Sequence, residues 1–138
     1  MLSLGIESTA HTFGCGIIDD KGRIYANVTD AYKTEKGGIH PTEAKQHHEN
    51  VKDNVVEEAL RIANLKLQDI DLVSFSQGPG LAPCLLVGLK KAKELAAKIN
   101  IPLVSVNHCI AHLEIGKLMT KSKDPVLPLR LYFYFWFL

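Results

Sequence analysis

Apolar positions along the chain change period several times, and each change marks an element. Residues 2–6 form a short apolar run, residues 13–18 another, and residues 23–28 alternate, with Gly14, Gly16 and Asp20-Lys21-Gly22 as punctuation. That pattern predicts an antiparallel meander of three strands. Residues 32–40 carry charge and the pair Gly37-Gly38, which suits an exposed loop ahead of a helix. Pro41 fits a first helical turn, where Glu43 complements the helix dipole. Over residues 42–65, Val51, Val55, Ala59 and Ile62 recur at helical spacing and predict one buried face on a long helix. Residues 71–76 read as a strand that runs into the turn Gly78-Pro79-Gly80. Leu85, Leu89, Ala92, Ala96 and Ile99 then repeat with helical period. Pro102 stops that helix, residues 103–106 make a further strand, and residues 108–119 have helical composition. The expected order is β-β-β-α-β-α-β-α: an α/β lobe whose mixed sheet is flanked by helices, its first strands antiparallel and its later ones joined by right-handed crossovers. No internal repeat is visible.

Residues 127–138, LPLRLYFYFWFL, break this rhythm with six consecutive aromatics, Tyr132, Phe133, Tyr134, Phe135, Trp136 and Phe137. With Pro128 and Arg130 inside, the segment is too short for a membrane span, which needs about 20 apolar residues. It reads as sticky, aggregation-prone sequence. The two accounts are a foreign tail from an altered reading frame and a buried edge strand. The expected division is therefore a lobe over residues 1–126 and an atypical tail over residues 127–138.

A length of 138 residues with 46% hydrophobic and 22% charged residues fits one globular domain. Sixteen basic against 15 acidic residues leave a net charge of +1, so charge alone does not point to a nucleic-acid partner. Three cysteines without CxxC spacing argue for free thiols in a reducing compartment, and the start MLSLGIESTAHTFG has neither the basic flank nor the unbroken apolar stretch of a signal or anchor. A cytoplasmic location and no membrane partner are expected.

His108 and His112 lie four apart on a predicted helix, one turn from each other on one face, and can converge on one metal ion. Two ligands do not close a site, and a capped or surface pair is the bland alternative. Cys109 stands where the zinc-protease motif needs its Glu, so that chemistry lacks its base. His40, His47 and His48 read as solvated or loop-packing residues. The Gly78-Pro79-Gly80 turn is either a tight connection or a place where backbone amides meet a ligand; it matches neither GxGxxG nor the Lys-bearing phosphate loop. Glu7, Ser8 and Thr9 put an acid and two hydroxyls at the end of the first strand, where they could approach a phosphate or its metal, although an ordinary strand-to-turn transition has the same composition.

Taken together, GIESTAHT, SQGPGLAPCLLVG and PLVSVNHCIAHLEIG occur in that order at lobe-sized intervals. As a set, over residues 1–126, they resemble the amino-terminal half of the tRNA N6-adenosine threonylcarbamoyltransferase family, formerly labelled O-sialoglycoprotein endopeptidase. NHCIAH with Glu114-Ile115-Gly116 is similar to the archaeal and eukaryotic branch, the catalytic subunit of the KEOPS complex. The resemblance implies the first lobe of the actin, Hsp70 and sugar-kinase fold, with an adenine nucleotide clasped between two lobes. It implies transfer of a threonylcarbamoyl group from threonylcarbamoyl-adenylate to N6 of adenosine 37 in tRNAs that read codons beginning with A. His108 and His112 would ligate one metal, iron or zinc, and Glu7, Ser8, Thr9 and His11 would lie near the nucleotide phosphates. The implied partners are tRNA and the KEOPS subunits, including the small dimerisation subunit and the kinase-like subunit.

The sequence also departs from the family. The family's Tyr-containing strand, its Ser-Gly-Gly phosphate loop and the second lobe with its Asp ligand do not follow Pro125-Val126. Neither Tyr132 nor Tyr134 has the motif context of the metal-binding Tyr. Leu86 replaces the basic residue many relatives carry in CLRVG. The chain accordingly reads as truncated and inactive alone. It is either an enzyme domain, as a shortened copy or one part of a split protein, or a non-catalytic remnant or assembly module that binds KEOPS partners. A weaker third reading is a small ATPase lobe that pairs with another chain. The missing half favours the module, and the intact histidine pair favours descent from an enzyme.

Overall fold

Alternation in the strands and a helical stripe in the helices build one sheet with helices packed on it. The computed structural model describes residues 1–34 and 37–121; the aromatic segment over residues 127–138 lies outside them. Strands β1 (Leu2–Glu7), β2 (Thr12–Asp19) and β3 (Ile24–Ala31) form the expected meander. Helix α1 (Pro41–Ala63) and a 3-10 turn at Leu67–Asp69 lead to β4 (Leu72–Gly78). Helix α2 (Ala82–Ile99), β5 (Leu103–Asn107) and α3 (His108–Thr120) follow. The sheet order is β3-β2-β1-β4-β5, with β1, β4 and β5 parallel. The carboxyl ends of three strands therefore point the same way, and loops that leave that edge can bring distant residues to one place.

Alternating side chains sort the sheet into two faces. Leu4, Ile6, Phe13, Cys15, Ile17 and Val73 are buried with Val55, Val56 and Ala59 of α1 and Val87, Ala92, Leu95 and Ala96 of α2 in one core. Both long helices end on an asparagine in the left-handed region, Asn64 and Asn100, whose amides close the last turn. No helix among the described residues is long and apolar enough to cross a membrane.

On α1 the core differs from the sequence expectation at two points. Ile62 is 51% exposed, because a 3.6-residue period carries the buried side of the last turn onto Leu60 and Ala63. His48, expected to be solvated or to pack in a loop, is fully buried, edge-on to Phe13 with ring centroids 5.6 Å apart.

Candidate functional site

The carboxyl ends of β1, β4 and β5 converge on one carboxylate, that of Glu7. Asn107 ends β5 and caps α3, its side chain accepting from the amides of Cys109 at 2.9 Å and Ile110 at 3.2 Å. This makes His108 the first residue of the helix, and His112 follows one turn later. Their rings meet edge to face, with centroids 4.5 Å apart and planes at 89°. Nδ1 of His108 lies 3.0 Å from Oε2 of Glu7. Ser76, on β4 beside the end of β1, donates its hydroxyl to that same oxygen. On the other oxygen, Oε1, the backbone amide of Thr9 donates at 2.7 Å and the Thr9 hydroxyl donates as well.

Burial alone would push the Glu7 carboxyl up. Hydrogen bonds from Ser76 and Thr9, joined by the charge of His108, outweigh it and hold the group below the usual carboxylate value. His112 moves down from the ordinary imidazole value, first through burial and then through the charge of His108.

The neighbouring turns are locked together rather than open. The amide of Leu81 donates to the Thr9 carbonyl at 2.7 Å, and a Cβ on Gly80 would fall 2.4 Å from that oxygen. Gly78-Pro79-Gly80, whose first peptide bond is cis, is thus a tight connection that clamps the turn after β1. Ser8 is buried under α2, where a Cβ on Gly88 would meet its hydroxyl at 2.1 Å. Thr9 is buried too, whereas His11 is half-buried in the turn between β1 and β2.

Of the six site residues expected from sequence, Glu7, His108 and His112 come together, with Thr9 bonded to Glu7. Ser8 is enclosed by packing, and His11 lies close enough to His48 for its charge to act there. Sequence reasoning missed Ser76. Its signal was present in the alternation of β4, which puts Ser74 and Ser76 on the face opposite the core residue Val73. As metal donors, two imidazoles on successive turns suit zinc or iron, and a carboxylate on the ring nitrogen of one is a usual support for such a ligand. Among the described residues no group of three or more His, Cys, Asp or Glu side chains is placed to hold an ion, so the two imidazoles are at most a partial donor set.

The profile of the tRNA N6-adenosine threonylcarbamoyltransferase family, TsaD, matches residues 23–130. The chain belongs to this family. It is 52% identical over 126 residues to the tRNA N6-adenosine threonylcarbamoyltransferase of Thermococcus gammatolerans and 53% identical over 126 residues to that of Thermococcus kodakarensis. Each match covers 91% of this chain and 38% of the relative, so the chain spans well under half the length of these curated relatives. Among solved structures, YeaZ from Pseudomonas aeruginosa has a TM-score of 0.66 at 16% identity, covering 87% of this chain and 49% of that one. RuvC of Thermus thermophilus in complex with a Holliday junction substrate has 0.52 at 13% identity, covering 93% and 83%. These likenesses establish the fold alone, a mixed five-stranded sheet with helices in the expected order.

Proposed function

We propose that this family member contributes the metal-binding wall of a threonylcarbamoyl transfer site. The donor is threonylcarbamoyl-adenylate and the acceptor is N6 of adenosine 37 in tRNAs reading codons that begin with A. The acceptor nitrogen forms a bond to the carbamoyl carbon, the bond from that carbon to the adenylate oxygen breaks, and N6 loses a proton. The observation that carries this reading is the meeting of Glu7, His108 and His112 at the carboxyl edge of the parallel strands in a chain of this family. His108 and His112 would hold zinc or iron, which supplies Lewis-acid polarisation of the carbamoyl and phosphate oxygens when bound. Thr9 and Ser76 keep the Glu7 carboxylate fixed at the first histidine. With its oxygens taken by those donors, Glu7 serves the histidine rather than a phosphate. Ser8 acts from below, by packing, and Thr9 through its two hydrogen bonds to Glu7, while His11 is half-buried, as Glu7 is.

The lobe over residues 1–126 is one wall of that site. The adenine nucleotide would lie between it and a second lobe, and tRNA, the small dimerisation subunit and the kinase-like subunit of KEOPS are the proposed partners. Ordered transfer needs donor and acceptor within near-attack distance, and a displacement of about 1 Å can cost on the order of a hundredfold. One wall does not set that distance. The 138-residue chain given unmodified tRNA and threonylcarbamoyl-adenylate should form no threonylcarbamoyladenosine, and fusion to the remaining region of the Thermococcus kodakarensis relative should restore it in a His108-dependent way. Turnover by the short chain that vanishes in His108→Ala would overturn this. A second reading, an assembly module for KEOPS partners, is favoured by Ile62 of α1 and Leu86 of α2, which are 51% and 53% exposed. Binding of the small dimerisation subunit by a fusion that stays inactive would select it.

A further inference from the structure

Glu7 is held at both oxygens, and its donors come from three parts of the chain. Thr9 supplies two donors to Oε1 from the turn after β1, and Ser76 meets Oε2 from β4, at the oxygen that faces His108 Nδ1. An ionised carboxylate only accepts, so the ring nitrogen facing it must carry the hydrogen. A neutral imidazole with hydrogen on Nδ1 has its lone pair on Nε2, the form in which histidine ligates a metal. Ser76 matters because it fixes where Oε2 stands. Without its hydroxyl, one oxygen of Glu7 would keep His108 alone as a donor, and the carboxylate could turn about the anchor that Thr9 provides.

We infer that Ser76 is a positioning residue that acts through Glu7 to hold His108 in the Nδ1–H tautomer. The link to metal binding rests on the function proposed above, whereas the tautomer does not.

The test uses the whole chain, metal-free, with 15N-labelled histidine at roughly pH 8.5, above the ordinary imidazole range. Wild type should show His108 with hydrogen on Nδ1 and none on Nε2. Ser76→Ala should give a mixture of tautomers, and Ser76→Thr, which keeps the hydroxyl, should restore the single form. Glu7→Gln should also give a mixture, because an amide can face the ring with either its oxygen or its NH2. Zinc affinity, measured by competition against a chelating dye, should fall about tenfold or more in Ser76→Ala and recover in Ser76→Thr, within the range typical of groups supporting a ligand. Hydrogen on Nε2 in the wild type overturns the inference with no substitution needed. So does a Ser76→Ala protein with lower thermal stability but an unchanged tautomer. If the wild-type tautomer is as expected and zinc does not bind, the metal-binding reading fails and the positioning role stands.

Discussion

His48 is held neutral by its surroundings. Its ring is fully buried against Phe13. Its Nδ1 lies 3.3 Å from that of His47, whose Nε2 is 2.9 Å from Asp30. Burial pushes the imidazole down to about 4, the charge of His47 adds to this, and the backbone at Ala10 and the carboxylate of Glu7 oppose it. A folded value below the unfolded value of 6.5 means that the unfolded chain binds the extra proton first as pH falls. This group leaves stability intact above about pH 6.5 and removes it progressively down to about pH 4, a loss on the order of 3 kcal/mol at about 1.4 kcal/mol per unit. Urea unfolding of wild type and His48→Leu at a series of pH values should show the variant with the shallower loss over that window. Equal slopes would mean that His48 takes up its proton inside the fold. The period of α1 was enough to place His48 on the buried face, four residues after Ala44 and three before Val51, but its polarity argued for solvent. A buried imidazole depends on the ring of Phe13 from another strand, and no local spacing contains that contact.

Helices α1 and α2 meet across Lys91, which is 7% exposed. Its ammonium lies 2.7 Å from Asp53 on α1 and 2.8 Å from Glu94 one turn along α2. Burial alone would favour the neutral amine, and the two hydrogen-bonded carboxylates reverse this and raise its value. Both carboxylates are more than half exposed, so the pair is weaker than a fully enclosed one. Lys91→Met should therefore stay within about 1 kcal/mol of wild type, since a similar apolar chain can fill the site. Asp53→Ala with Glu94→Ala should lose at least about 1 kcal/mol more than the two single losses added, because the second removal leaves a buried charge alone. Additive losses in urea unfolding would show the ammonium reaching water. At this scale the sequence located the five strands and three α-helices among the described residues, to within a few residues at the ends, and gave no sign of the 3-10 turn at Leu67–Asp69. The stripe expected on α2, Leu85, Leu89, Ala92, Ala96 and Ile99, is only partly the one used. Cys84, Val87, Gly88 and Lys91 are also buried, because the helix faces the sheet and α1 together. Gly88 carries no hydropathy signal, and it is Ser8, from another element, that makes a side chain there impossible without displacement.

For the molecule as a whole, the site was legible as a set of motifs and only in part as geometry. GIESTAHT, SQGPGLAPCLLVG and NHCIAH gave the family and the histidine pair, whereas the anchoring of Glu7 by Ser76 depends on the parallel pairing of β1 with β4, strands separated by a long helix. On the function proposed above, that geometry also bounds the metal affinity. A stable zinc centre has three or four protein ligands, each oriented by a further partner. Here the described residues supply two imidazoles and, through Glu7, one such partner. Zinc added to the 138-residue chain should bind and then be removed by dialysis against EDTA, leaving metal content at background by atomic absorption. His108→Ala or His112→Ala should abolish even the weak binding, because a single imidazole holds zinc too loosely by itself. The fusion to the longer relative should hold zinc through the same dialysis, if the region it adds completes the ligand set. Stoichiometric zinc that survives EDTA in the short chain and disappears in His112→Ala would mean that further ligands join the pair, and the half-site reading would be wrong.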